Sequence, residues 1–173
     1  MKILMDRLMG RQRMTLNETQ RALVLRKGKF HAILGAGEHV LSSRDVEVEM
    51  HNLSTPRFTS AYADALLRTQ PGLAAAHLTL VETGMDEVKV VSRNGRAHEV
   101  ITPDHRALYW TDAGTWSVET LSLAESHALA PALAARLLRS GLTRALTSVE
   151  VAEGKVGILS VDGVVTRVLE AGT

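Results

Sequence analysis

The sequence predicts an α+β protein of repeated β-hairpin, strand and short-helix units that form small antiparallel sheets, with the third unit truncated. Three observations predict it. An X-Gly turn recurs as Lys27-Gly28, Asn94-Gly95 and Asp162-Gly163, at spacings of 67 and 68 residues. Apolar residues alternate on both sides of each turn. Two short helical phrases, "ADALLR" from Ala63 and "LAARLLR" from Leu133, follow the first and second turns and end at Pro71-Gly72 and Gly141.

The hairpins come first. Asn-Gly and Asp-Gly favour the type I′ turn, which needs positive φ at both central residues and matches the twist of paired strands. The flanking runs are Ala22 to Leu25 with Phe30 to Leu34, Val88 to Val91 with Ala97 to Ile101, and Val156 to Leu159 with Val164 to Leu169. With the glycines in register, Val24, Val91 and Leu159 share a column, as do Ile33, Val100 and Val168. Turn chemistry and apolar columns repeating together mark an internal repeat.

The elements between hairpins also recur. Val46 to Met50 alternates as a strand with one wet face, and Trp116 to Leu121 is its partner in the second copy. A helix over Ser60 to Thr69 is stopped by Pro71-Gly72. A second, Pro131 to Ser140, has Pro131 in its first turn and Gly141 as its cap. Strands over His77 to Glu82 and Thr147 to Ala152 then lead into the next hairpins. The expected organisation is a basic segment 1–16, unit one 17–83, unit two 84–150, and the start of a third unit, 151–173. The third stops inside its phrase, as in a chain that continues.

Composition sets the outer bounds. The 173 residues are 45% apolar and 23% charged, the balance of a globular protein with a real core. With no cysteine, disulfides, thiolate metal sites and thiol nucleophiles are excluded. No apolar run reaches the ~18–20 residues of a membrane span. The net charge of +1 conceals a basic front: residues 1–29 carry eight Lys or Arg against Asp6 and Glu18. Such a front suits an anionic surface or an acidic partner, and equally a solvated strand edge.

Met1, Leu4, Met5, Leu8 and Met9 fall on one helical face, with Lys2, Asp6, Arg7 and Arg11 on the other. A basic amphipathic helix of this kind can lie in a lipid interface. Nine residues are marginal as a free helix, so it forms only when docked, and packing on a sheet or fraying is the stronger reading. No catalytic, cofactor or metal-binding residue is assigned. The seven histidines make no H-x-x-x-H pair, and there is no G-x-S-x-G elbow and no phosphate-cradling glycine loop. His98, Asp104 and His105 are the nearest approach to a cluster. Glu47 and Glu49 share one strand face, read as a solvated edge. Basic tips at Arg26 to Lys29 and Arg93 to Arg96 could touch phosphates. With aromatics at only 3%, nucleic acid ranks below a protein or lipid partner. Trp110 and Trp116 are read as core.

The phrase "NETQRALVLRKGKFHAILGAGEHVL", Asn17 to Leu41, resembles the N-terminal signature of the slipins, bacterial stomatin-like proteins of the stomatin, prohibitin and flotillin superfamily. Residues Val149 to Thr173 are similar again, with a looser echo from Leu78 to Leu108. Ala36 and Ala171 stand where the family carries proline, and Pro103 keeps that column. The resemblance implies a non-enzymatic, membrane-associated scaffold that self-assembles and recruits a membrane protease or another membrane protein. The lack of cysteine suits a reducing cytoplasm, and with the membrane face the resemblance implies, the expected location is cytoplasmic and peripheral to the inner membrane face; anionic lipid is the contact that the basic Met1 to Met9 segment suits. A soluble binding module using the basic tips for nucleic acid or an acidic partner is the alternative.

Overall fold

A computed structural model describes residues 11–42, 44–124, 128–144, 147, 149–161 and 163–171. The strands are β1 (Arg11–Leu16), β2 (Gln20–Arg26), β3 (Lys29–Leu34), β4 (Gly37–Ser42), β5 (Val46–Asn52), β6 (Leu78–Glu82), β7 (Glu87–Arg93), β8 (Arg96–Ile101), β9 (Arg106–Trp110), β10 (Trp116–Ser122), β11 (Gly157–Val161) and β12 (Val164–Leu169). The helices are α1 (Ala63–Thr69), α2 (Pro71–His77) and α3 (Pro131–Arg139). The class is α+β with small antiparallel sheets.

Every sheet is antiparallel and has two or three strands. β3-β2-β5 and β8-β7-β10 are three-stranded; β1-β4, β6-β9 and β11-β12 are pairs. The hairpins are built alike because their turns are. Lys27 and Gly28 have φ of 51° and 71°, Asn94 and Gly95 of 52° and 76°, and Gly163 of 80°. All three hairpins shift register at the same repeat position, after Val24, Val91 and Leu159. The register shift raises local twist, so its recurrence gives the hairpins a common curvature. Matching backbone bonds complete the likeness. Lys27 N–H donates to Asp45 O and Asn94 N–H to Thr115 O, each over 2.8 Å; Leu53 N–H to Thr19 O and Leu123 N–H to Asp86 O repeat the same way.

The pairs β1-β4 and β6-β9 are equivalent too, since Arg11 lies 67 residues before Leu78. The structural unit therefore starts at residues 11 and 78, inside the segments expected as 1–16 and as the end of unit one. Each unit holds a strand pair, a three-stranded sheet and a helical segment. Pro71 does not end the helical region: it stops α1 and occupies the first turn of α2, which takes in His77. α3 runs as expected and closes on Gly141 at φ 70°, with Leu142 N–H reaching back to Leu137 O. The strand expected over Thr147 to Ala152 is not formed among its described residues.

The core passes from one unit to the next through β6-β9. Leu78, Leu108 and Trp110 of this pair join Leu23, Leu25, Ile33, Phe58, Leu66 and Ala74 of unit one. Val81, Ala107 and Tyr109, from the opposite face, join Val91 and Ile101 of unit two. β9 is held on both sides: β6 pairs one edge, while Phe58 N–H donates to Leu108 O and Trp110 N–H to Pro56 O on the other. α3 then covers the far face of unit two, with Leu133 and Leu137 on Val90.

Two substitutions test this frame by urea denaturation. Trp110→Ala, emptying a fully buried site shared by both units, is expected to cost about 3–5 kcal/mol. Gly95→Ala has open space around the new Cβ but a left-handed backbone, and is expected to cost about 1 kcal/mol from strain alone.

Candidate functional site

Only some of the assembly-related sequence features converge. Met1, Leu4, Met5, Arg7, Leu8 and Met9 lie outside the described residues, as do Asp162, Ser43 and His127. Arg11 opens β1 and is exposed. It stands on a strand face beside Arg13 and Thr15, with Glu38, Val40 and Ser42 opposite. Arg13 bonds Glu38 at 2.7 Å.

Leu78, Leu108 and Trp110 face the core of unit one, with the exposed Leu80 on the same strand face; at these four positions unit one itself carries Arg11, Val40, Ser42 and Arg13. The replacement turns an apolar docking face into a mainly polar one, the property of a terminal cap in a stacked-repeat protein.

The other end is the reverse. Ile158 and Val168 face each other across β11-β12. Their counterparts are Leu23 with Ile33 in unit one and Val90 with Val100 in unit two. Leu23, Ile33 and Val90 are buried and Val100 packs against the α3 cluster, whereas Ile158 and Val168 are 66% and 58% exposed. Val156, Val164 and Val165 are exposed as well. The opposite hairpin face is partly covered by Val151, whose Cγ2 would lie 3.1 Å from a Cβ added at Gly157. β11 carries β12 on one edge and, among the described residues, no strand on the other, where β2 carries β5 and β7 carries β10. A strand edge with unpaired N–H and C=O groups, next to an uncovered apolar face, can take up another strand.

The hairpin tips differ in what they do. At the second, Arg93 donates from Nε to Ala113 O at 2.8 Å and Asn94 Oδ1 accepts from Thr115 N–H at 2.8 Å. These bonds tie the tip to the turn between β9 and β10. The first tip holds Arg26, Lys27 and Lys29 around Gly28, and its Lys27 N–H is engaged by Asp45 O.

Glu47 is exposed and Glu49 half-buried on the edge strand β5, on the strand face that carries Leu23 and Leu25 of β2 toward α1 and α2. Tyr62 Oη donates to Glu47 at 2.8 Å and Ser60 Oγ to Glu49 at 2.7 Å. The hydrogen bond to Glu47 holds the Tyr62 hydroxyl above its ordinary pKa. In unit two Glu119, opposite Val90, pairs with Arg136 of α3. In both units a carboxylate on the covering strand thus ties it to the chain entering or forming the helix.

The histidines do not converge. His105 Nδ1 lies 2.7 Å from Pro103 O, while His98 packs against Tyr109 and Trp116. Among the described residues no three His, Asp or Glu side chains are grouped to hold a metal. Both tryptophans are core, with Trp116 Nε1 donating to Trp110 O at 3.0 Å. Burial and the Glu99 carboxylate raise the pKa of Tyr109, whose hydroxyl donates to Glu99 at 2.6 Å.

His51 was not singled out by the sequence. Its ring lies 4.9 Å from Phe58 and 5.2 Å from Trp110, its Nε2 is buried without a hydrogen bond, and Glu49 is 3.6 Å away. Desolvation outweighs the carboxylate and lowers its pKa. Only the aromatic neighbours, distant in sequence, reveal it.

Compared with known protein families, curated proteins and solved structures, the chain matches none at a significant level.

A pH dependence arises from His51. Its pKa is lower folded than unfolded, so folding favours the neutral ring. Stability is fully present above the unfolded value of about 6.5 and declines as pH falls through it toward the folded pKa. His98, also lowered by burial, acts in the same direction. His51→Phe is expected to lessen the loss of urea midpoint between pH 8 and pH 5.5, leaving the His98 share.

Proposed function

We propose that this chain is an assembly module: a non-enzymatic, slipin-like scaffold that self-assembles at a membrane face and holds partner proteins. The observation that carries this reading is the asymmetry of its two ends. One is closed by the mainly polar outer face of β1-β4. The other carries, among the described residues, an apolar hairpin with one unpaired edge, a form suited to protein contact rather than to chemistry. The exposed Arg11 on this face supports contact with anionic lipid through charge. Among the described residues no helix is long and apolar enough to cross a membrane.

The alternative, a nucleic-acid module, draws on the basic tips. Its weakness is the second tip, where Arg93 and Asn94 are engaged in holding the β9-β10 turn and are poorly placed to follow a phosphate backbone.

Light scattering after size-exclusion chromatography, over a concentration series with and without phosphatidylserine vesicles, tests the scaffold. Concentration-dependent assemblies and co-migration with vesicles are expected. Arg11→Glu with Arg13→Glu should weaken vesicle co-migration in low salt. A strict monomer that ignores vesicles would overturn the reading.

A further inference from the structure

We infer that one end of unit one is a docking surface for an anionic bilayer, formed by the first hairpin tip, the β4-β5 turn and the start of β1. The inference rests on the membrane-face reading above and deepens it, assigning the contact to Arg11, Arg26, Lys27, Lys29 and Arg44.

The fold gathers these five cations from three stretches of chain. Arg11 stands opposite Ser42 in the β1-β4 pair. Arg44 N–H donates to Ser42 Oγ at 3.4 Å, and Lys27 N–H donates to Asp45 O at 2.8 Å. The β4-β5 turn therefore lies between the start of β1 and the hairpin tip, where Arg26 pairs with Lys29. All five side chains are exposed, and among the described residues none makes an ion pair. The acids beside them are Asp45 and Glu47, and Glu47 already accepts from Tyr62 Oη at 2.8 Å. The surplus of positive charge faces water.

Unit two shows that the fold does not need these cations. At the place of Arg11 it carries Leu78, which is buried. Its tip is tied down, with Arg93 Nε on Ala113 O and Thr115 N–H on Asn94 Oδ1, both at 2.8 Å. Five residues connect β9 to β10 and carry that clasp, whereas three connect β4 to β5. The longer connection, Thr111 to Thr115, has no cation, so Arg96 is left as the exposed cation at this end. At the third tip the strands end on Val161 and Val164. Cations thus accumulate at the tip whose connection is too short to clasp them.

A bilayer fits this surface better than a nucleic acid does. The tip is a projecting turn, not a groove, and its charges sit on long stems that can meet many mobile headgroups at once. Its aromatic residue is turned inward: Phe30 packs on the unit-one core, with its ring 6.2 Å from that of Tyr62. No ring is left there for a base to stack on.

The test uses the full chain with phosphatidylcholine vesicles, with and without phosphatidylserine, in flotation at physiological ionic strength. Binding to the phosphatidylserine vesicles alone is expected. Lys29→Glu with Arg44→Glu should weaken it about fiftyfold or more, since each cation at such a surface contributes about fivefold. Lys155→Glu with Arg167→Glu makes the same change of net charge elsewhere and should weaken it less than about threefold. The chain has no cysteine, so an environment-sensitive fluorophore on Lys29→Cys reports the tip alone. Its emission should shift to the blue with phosphatidylserine vesicles, while one on Arg167→Cys should not shift. Equal weakening by both double variants, weakening by neither, or a shift at Arg167→Cys alone overturns the inference and leaves the membrane reading standing. Failure of the unaltered chain to bind either vesicle overturns both. Tighter binding to a duplex DNA fragment than to the vesicles, lost in Lys29→Glu with Arg44→Glu, would assign the patch to nucleic acid and overturn the inference.

Discussion

The β6-β9 pair is a two-stranded ribbon that contributes buried residues from both of its faces, and the rest of the structure depends on it. An isolated pair of this size is marginal in water, because it buries too little to offset the ordering of its chain. Here alternate residues serve two cores: Leu78, Leu108 and Trp110 for unit one, Val81, Ala107 and Tyr109 for unit two. Neither unit has a complete core without it. Polar links cross the same junction, with Arg21 Nε on Asp112 at 2.8 Å, and with the pairs Arg57–Glu99 and Arg106–Asp64. These are partly exposed and contribute little beside the buried rings, but they fix the orientation of one unit on the next. His51 shows the demand of this junction most clearly. A titratable ring is held between Phe58 and Trp110 with its Nε2 unpaired, a cost the packing there is large enough to absorb.

Much of this architecture was legible in the chain, and the reason is local. An Asn-Gly turn and the alternation beside it act over a dozen residues, so the hairpins, the α3 cap and the Val46 and Trp116 strands could be placed directly. What escaped was non-local. β1 pairs with β4 across some twenty residues, and "RQRMTL" has no strand signature apart from its partner. Carrying the 67-residue offset back from Leu78 to Arg11 would have exposed the equivalence, yet the residues that fill the column, leucine in one and arginine in the other, disguise it. Pro71 misled for a related reason: proline both ends a helix and begins one, and only packing decides whether a second helix forms after it.

Glu47 and Glu49 illustrate a different limit. Period-two alternation separates two faces of a strand without saying which one meets water. The carboxylates share the face of Leu23 and Leu25, where hydroxyls of Ser60 and Tyr62 meet them, yet Glu47 stays exposed; on the opposite face Met50 is 48% exposed and Val46 and Val48 are half-buried. Apolar residues mark a buried face only when the next layer is apolar too. At this edge the next layer supplies hydrogen-bond donors, and both faces of the strand stay partly wet.

The same logic gives the stack its direction. A repeat unit is stable when each of its faces finds the surface it was shaped for, and the identity of that surface is written in the neighbouring unit. At the β1-β4 end, arginines and a serine replace leucines and a tryptophan, so that face is stable against water. At β11-β12 the apolar column persists: Ile158 keeps the place of Leu23 and Val90, and Val168 that of Ile33 and Val100. Solvent-facing residues at that place would make the hairpin a second cap, as Arg11 and Arg13 do at the first. Instead the hairpin keeps the same register shift, left-handed turn glycine and apolar column as its two covered counterparts. Where this column is buried, in units one and two, the cover is the strand and helix that follow the hairpin in the chain, so each face is completed by sequence downstream of it.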